Sequence, residues 1–417
     1  MKYIFFARRI SDVEHIVPVI YSFLINNVDP KNIKYYDLIH EFSLLNIQAD
    51  KRIQFLRSKK IFFNQFILAK ILIPTFFLSK HNFKIKIISR IFKRLYNMIN
   101  NRALYLYTIR LKFIFFKKEK RTIIVDEGVD GIYSVLLGIA KSKKHKIIGI
   151  PHGSYLHYGC KNEREERLHF PQKFATKEMI KNITEQYYYD LSVSYNDLHR
   201  TFQPIQQKKP IILSSPRYSK EWNQIQKSLF SKIPKIYDKS KINLLFFEEK
   251  LLFGVENNEL LPGFYKNKLH SIINFLSKQK DIKLIIKRHP SKKSKDFDDI
   301  ANIYYADDNY ASYELILFAD LIIGNVTSAL FDVFLCKKRI IIPCYCSSFK
   351  TVMMKYNPEV VAHDFLEFKN KYYDQIKKIK IGQNEKNYDY FYKDFIARGK
   401  KNILSNFHND LFKELDS

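Results

Sequence analysis

The 417-residue sequence predicts an α/β protein of two Rossmann-like domains facing a central cleft, with a basic helical insertion in the first. The length exceeds what one hydrophobic core of ordinary size fills. Short apolar runs alternate with amphipathic stretches of helical length, the signature of parallel sheets covered by helices. The residues capable of chemistry stand just after those runs, at the strand ends where such sheets bind ligands.

In the first half the runs at 3–6, 122–125, 146–150, 191–195 and 210–213 read as strands, with helical periodicity over 12–25 and 131–141. A Pro- and Lys-containing stretch at 231–241 reads as a linker. Beyond it, strands are expected at 243–247, 283–286, 303–305, 320–323 and 339–342, and helices at 265–278, 313–319 and 327–336. The expected domains are therefore 1–235 and 241–417, the latter ending in a helical region from 384 onward that could pack back across both. No internal repeat interrupts this rhythm.

Hydrophobic residues at 46% and charged residues at 27% exclude a globally disordered chain. The four cysteines, Cys160, Cys336, Cys344 and Cys346, form no paired CxxC units, so no metal or redox centre is expected and a reducing compartment fits. The apolar run before Arg8 and Arg9 is too short for a secretory signal, which points to the cytoplasm. Asn64, Gln65, Lys70 and Pro74 interrupt the most lipid-like stretch, so no membrane span is expected.

Net charge is +29, and it is uneven. Residues 51–120 hold 18 Lys and Arg against the single acid Glu119, which makes +17 in one sixth of the chain. Aliphatic and aromatic residues interleave with these cations, as in KIKIISRIFKRLYNMI and LYLYTIRLKFIFFKK. Amphipathic basic helices of this kind lie on anionic membranes, so an anionic membrane surface is an expected partner. A chain-wide bias toward Lys, Ile, Asn, Phe and Tyr accounts for part of the charge. No zinc-finger spacing, RNP motif or basic zipper is present, and nucleic acid is not an expected partner.

Four loops should face the cleft. In VDEG, Asp126 and Glu127 follow a strand and could supply a general base or cap the next helix, with Gly128 allowing a tight exit. In IPHGSY, His152 is the side chain best suited to take a proton near neutrality, and Gly153 lets backbone approach a ligand. In LIIKRHPS, Lys287, Arg288 and His289 end a buried strand where Pro290 fixes the turn, a cationic set suited to phosphate. In LIIGNVTSALF, a strand breaks at Gly324 and a helix opens near Thr327 and Ser328, whose N–H groups could bind a pyrophosphate. Asn325, Thr327 or Ser328 would equally serve as N-caps. In LSSPRYSKEW, Arg217 could reach a ligand across the cleft or pair with a local acid such as Glu221.

The ordered set IPHG, SPR, KRHP and NVTS resembles the CDP-glycerol glycerophosphotransferases and related capsule polysaccharide transferases of the GT-B fold, over roughly residues 120–345. Asp126, Glu127, Gly128, His289 and Pro290 also look like the motifs of bacterial polysialyltransferases and Kdo transferases. The resemblance implies a metal-independent transferase without a cofactor. It would take a CMP-linked, CDP-linked or other nucleotide-activated donor and act on a glycan or lipid-linked acceptor at the inner membrane face. It further implies that His289, Thr327 and Ser328 contact the donor phosphates while His152 acts as base on the acceptor. Ser154 and Tyr155 replace the usual continuation of the HG loop, the SPR lacks its preceding glycine, and Asn325 stands where aspartate is usual. These departures leave the donor open. A nucleotide-sugar epimerase or a non-catalytic nucleotide-sugar or glycan-binding protein would share the architecture.

Overall fold

The computed structural model describes residues 2–7, 10–37, 50–65, 114, 119–126, 132–151, 157–160, 189–195, 210–248, 253–256, 259–262, 266–288, 297–307, 309–325, 327–347, 349–383 and 385–416. Two parallel sheets organise them. The first has seven strands, β1 (Lys2–Ala7), β2 (Ile33–Asp37), β3 (Phe62–Gln65), β4 (Arg121–Asp126), β5 (Lys146–Ile150), β7 (Leu191–Ser194) and β8 (Pro210–Ile212). Their spatial order is β3-β2-β1-β4-β5-β7-β8. The second has six, β9 (Ile242–Phe247), β12 (Ile282–Lys287), β13 (Ile303–Tyr305), β14 (Leu321–Ile323), β15 (Arg339–Pro343) and β17 (Val361–Ala362), ordered β13-β12-β9-β14-β15-β17. Numbered within its own half, that order is 3-2-1-4-5-6, the arrangement of dinucleotide-binding sheets. Chain direction across each sheet reverses beside its first strand, between β1 and β4 and between β9 and β14.

Every strand expected from an apolar run is present. The strand β2 was not anticipated, because its sequence IKYYD offers only five residues with a lysine at the second. Residues 62–65, read with the basic amphipathic stretch, instead form the edge strand β3, paired in parallel with β2 from Lys34↔Phe62 to Asp37↔Gln65. Adjacent Phe62 and Phe63 point to opposite faces of a strand, and Phe63 packs on Tyr35 while Phe62 packs on Tyr36. The rest of the basic stretch, 66–113 and 115–118, lies outside the described residues.

The first core is built by β-strand side chains against α1 (Ile10–Ile25) and α2 (Lys51–Ser58). Opposite them, α3 (Ile132–Ser142) covers the other face through Leu136, Leu137 and Ala140. The helix α4 (Lys220–Leu229) is capped by Ser219, whose hydroxyl accepts from Trp222 N–H at 3.0 Å. Trp222 is fully buried against Tyr21 and Phe55. In the second half, α5 (Lys266–Ser277) and α8 (Phe365–Lys380) cover one face of the sheet, while α6 (Ser312–Phe318) and α7 (Leu330–Leu335) cover the other. The last helix, α9 (Ile403–Asp416), returns to the first sheet, where Leu404, Phe407 and Leu411 join the core beside α1.

Two further strands cross between the halves. β6 (His157–Cys160) follows β5 in the first half and pairs antiparallel with β16 (Phe349–Thr351) of the second. An antiparallel hairpin, β10 (Phe253–Glu256) with β11 (Glu259–Pro262), follows β9.

Because α9 completes the first core from the far end of the chain, Phe407→Ala and Leu411→Ala should each destabilise the protein by about 2–5 kcal/mol. Denaturant titration followed by the emission of Trp222, the only tryptophan, reads this directly. Unchanged midpoints would mean that α9 contributes little to that core.

Candidate functional site

The second sheet brings three of its loops into one row. Lys287 of β12 pairs with Phe247 of β9, and Ile323 of β14 pairs with Phe246. Carrying the register forward sets Arg288, Glu248 and Asn325 side by side at the carboxyl ends of the strands, at the reversal point. Glu248 N–H donates to Lys287 O at 3.0 Å, which ties the exits of β9 and β12. Lys287 is buried and its Nζ donates to Asp307 O at 3.2 Å; Arg288 is half-buried. Asn325 is buried, while Thr327 and Ser328 are half-buried. A Cβ on Gly324 would sit 3.2 Å from Leu330 Cδ2 and 3.4 Å from Phe247 Cβ, so glycine there lets the exit of β14 pack closely on β9.

The helix expected at 327–336 is shorter, spanning Leu330–Leu335. Thr327 precedes it in a turn, donating its N–H to Asn325 O at 3.0 Å and accepting Ala329 N–H on Oγ1 at 3.3 Å. The N-cap is Ala329, without a side-chain cap bond, so Thr327 braces the turn that precedes the helix. His289 lies outside the described residues.

On the first sheet, Asp126 closes β4 in register with Ile150 of β5, and Val125 pairs with Phe6 of β1. Asp37, which is buried, closes β2 opposite Ala7, so a second aspartate ends a strand at this edge. Glu127, His152 and Gly153 lie outside the described residues, as does the side chain of Asp126. The segment that contains His152 is bounded by Pro151, after β5, and by His157, which pairs with Thr351 across the halves. Neither Asp37 nor Glu248 was singled out from sequence. The signal was available, since FFEE repeats the logic of VDEG, an acid pair directly after a buried apolar run.

Arg217 is buried in an ion-pair network. It is 3% exposed, and its Nη2 contacts Asp332 Oδ2 at 2.6 Å and Glu14 Oε2 at 2.7 Å. Its Nη1 lies 2.6 Å from His15 Nε2. A guanidinium only donates, so His15 accepts on Nε2 and carries its proton on Nδ1. Glu14 also binds Arg52 Nη1 at 2.9 Å, and Arg52 binds Asp50 Oδ2 at 2.6 Å. The partners come from α1, α2 and, through Asp332, α7 of the second half. Glu221, the local acid, is not the partner. Arg52, counted within the basic stretch, is likewise buried and paired, and Lys51 reaches Glu314 of the second half at 2.8 Å.

Three carboxylates and two guanidiniums share this buried network, and the acids respond differently. Burial raises the pKa of Glu14, but Arg217 and Arg52 together outweigh it and hold the group below its ordinary value. Burial raises Asp332 as well, and there Arg217 only partly offsets it while the Glu14 charge adds to the rise, leaving Asp332 pushed up to about 6. Arg217 has one full charge to share, and Glu14 has a second guanidinium. Lys287 also lowers Glu14, so this network and the cationic strand end of β12 lie within electrostatic reach of each other.

Among the described residues no group of three His, Cys, Asp or Glu side chains could hold a metal ion. Cys336, Cys344 and Cys346 are buried free thiols, and Cys344 Sγ lies 3.6 Å from His363 Nδ1. No described helix is long and apolar enough to cross a membrane.

No family model matches the chain, and no curated protein sequence does either. Among solved structures it is similar to the trehalose-6-phosphate synthase OtsA, with 7% identity and a TM-score of 0.52 over 100% of this chain and 99% of that one. A looser superposition, TM-score 0.42 and 13% identity, relates 74% of this chain to 85% of the wall teichoic acid polymerase TagF. The fold is that of the GT-B glycosyltransferases. In this chain the fold consists of two parallel sheets, each covered by helices.

Replacing Arg217 by Ala should cost about 3–5 kcal/mol, because Asp332 would be left buried without its cation. Asp332→Asn should act in a pH-dependent way. Between pH 3.8 and about 6 the folded protein keeps the Asp332 proton that the unfolded chain releases. Its contribution to stability therefore falls as pH rises through that window. The wild type should exceed the Asn variant by more near pH 4 than near pH 7. Denaturant titrations at the two pH values check it, and a difference independent of pH would refute the assignment.

Proposed function

We propose that this chain is a glycosyltransferase-like enzyme that moves a sugar or polyol phosphate from a nucleotide-activated donor to a cell-surface glycan such as a capsule, lipooligosaccharide or teichoic-acid-like polymer. The observation that carries the reading is the row Arg288, Glu248 and Asn325 at the reversal point of a sheet ordered 3-2-1-4-5-6, with Lys287 at its edge. Ligands of such sheets bind at that point. The motif order that resembles capsule and teichoic-acid transferases supports it independently, as does a fold shared with a sugar-phosphate synthase.

In this reading residues 241–417 bind the donor and 1–235 the acceptor. As the bond to the donor phosphate breaks, charge builds on the departing nucleotide. Lys287, Arg288 and His289 stabilise it with cations and donors fixed before the reaction begins. Asn325, Thr327 and Ser328 contribute N–H and side-chain donors from the neighbouring loop. His152 takes the proton of the acceptor hydroxyl, with Glu127 and Asp126 as the alternative base and Gly153 giving the backbone room. The enzyme works at the inner face of the cell membrane, held by the basic segment within 51–120, on a CMP-linked, CDP-linked or other nucleotide donor.

His289→Ala should weaken nucleotide binding by about 1.5–3 kcal/mol, the range for a hydrogen bond to a charged group. His152→Ala should leave donor affinity nearly unchanged and lower turnover by about a hundredfold or more. Thermal-shift screening of nucleotide donors finds the ligand for calorimetry. Loss of donor binding in His152→Ala with none in His289→Ala would reverse the two roles.

A further inference from the structure

The amino-terminal edge of the second sheet, away from Glu248 and Asn325, carries a surface that the proposed reaction does not use. Two adjoining concavities of about 730 and 250 Å³ open there and share Lys241 and Lys280. Lys239, Lys278 and Lys380 add to the cations lining them, against Asp281 and Asp320. Lys380 is matched by Asp281 at 2.6 Å, and Asp320 accepts Asn243 N–H at 2.8 Å. The edge therefore carries an excess of lysine.

Large apolar side chains stand exposed among these cations. Ile233 lines the larger concavity and Tyr304 the smaller, each 48% exposed. Lys283 Nζ sits 4.6 Å over the Tyr304 ring. Ile381, 65% exposed, follows Lys380 at the end of α8. From there the apolar exposure continues along one face of that helix through Tyr373 and Leu366, spaced eight and fifteen residues back.

A soluble anion or a polyanionic polymer would use the lysines and gain nothing from Ile233 and Ile381 held in water. An anionic bilayer uses both, with headgroups meeting the ammonium groups and the acyl boundary receiving the apolar side chains. We propose that this edge docks on an anionic lipid surface. The inference is independent of the donor site, and it concerns a different surface from the basic segment of the first half.

The test uses the full chain and sedimentation with phosphatidylcholine vesicles, with and without phosphatidylglycerol. Changing Lys239, Lys241, Lys278 and Lys280 to Gln should lower partitioning onto the anionic vesicles at least tenfold, since a lysine near such a surface is worth about fivefold. Ile233→Ser with Ile381→Ser should lower it several-fold and leave retention on heparin unchanged. Both variants should keep the wild-type thermal midpoint and nucleotide binding, which separates this result from any failure of the donor-site reading. Undiminished vesicle binding in both variants would overturn the proposal. So would loss of vesicle and heparin binding alike in the lysine variant with no effect of the serine changes, which would assign a polyanion site. In the first case, loss in a variant with Lys84, Lys86, Arg90, Lys93 and Arg94 changed to Gln would assign the contact to the basic segment.

Discussion

The guanidinium of Arg217 is the contact on which the junction of the two halves depends. It sits in the segment between the last strand of the first sheet and the linker, and it binds Glu14 of α1 and Asp332 of α7 at once. A buried cation with one acid from each sheet system fixes how the helices after β1 and β14 meet, and those helices follow the two strands that border the reversal points. Around it the junction is aromatic and hydrogen-bonded. Tyr218 stacks on Phe331 with centroids 4.6 Å apart, and Asn223 Nδ2 donates to Leu335 O at 3.3 Å. Burying such a network contributes little net stability compared with an apolar junction of the same volume, but each member is costly to remove alone. What it supplies is one geometry, because a displaced guanidinium would leave Asp332 without its cation and Glu14 with Arg52 alone.

This constraint also explains the pKa pattern. Glu14 shares Arg217 with Asp332 but is also in direct contact with Arg52, at 2.9 Å, so the larger uncompensated part of the desolvation falls on Asp332. The acid that titrates near neutrality is therefore the one contributed by the second half. The contact between the halves is the part of the network most sensitive to protonation.

The strands were legible because parallel sheets buried on both faces read as uninterrupted apolar runs: INLLFF, IKLIIK and RTIIVD leave little choice. β2 and β3 were not, since a short strand near an edge with Lys and Asn in it has the composition of a loop or an amphipathic helix. Positions after strands were also readable, which is why Lys287, Arg288 and Asn325 fall in one row with a glutamate that the same rule should have found. Arg217 was readable as important and not as buried. Its partners Glu14 and Asp332 lie 203 residues before and 115 after it, and pairing at that distance is decided by topology alone. The same limit hid Arg52, which composition counted as surface charge and the fold places among acids.

Topology further determines what a strand-end motif can mean. Two sheets each reversing beside their first strand place their ligand-facing edges at β1 and β4 and at β9 and β14, and the chain must then bring those edges together. Among the described residues the Arg217 network, the return of α9 to the first core, and the β6 and β16 ladder all join the halves. The ladder joins β6, which follows the HG motif in the chain, by backbone pairing to β16 of the second half. A change in the relation between the halves alters the spacing between the Asp126 edge and the Lys287 edge before it alters either edge internally, because each row is held within its own sheet by ladder register.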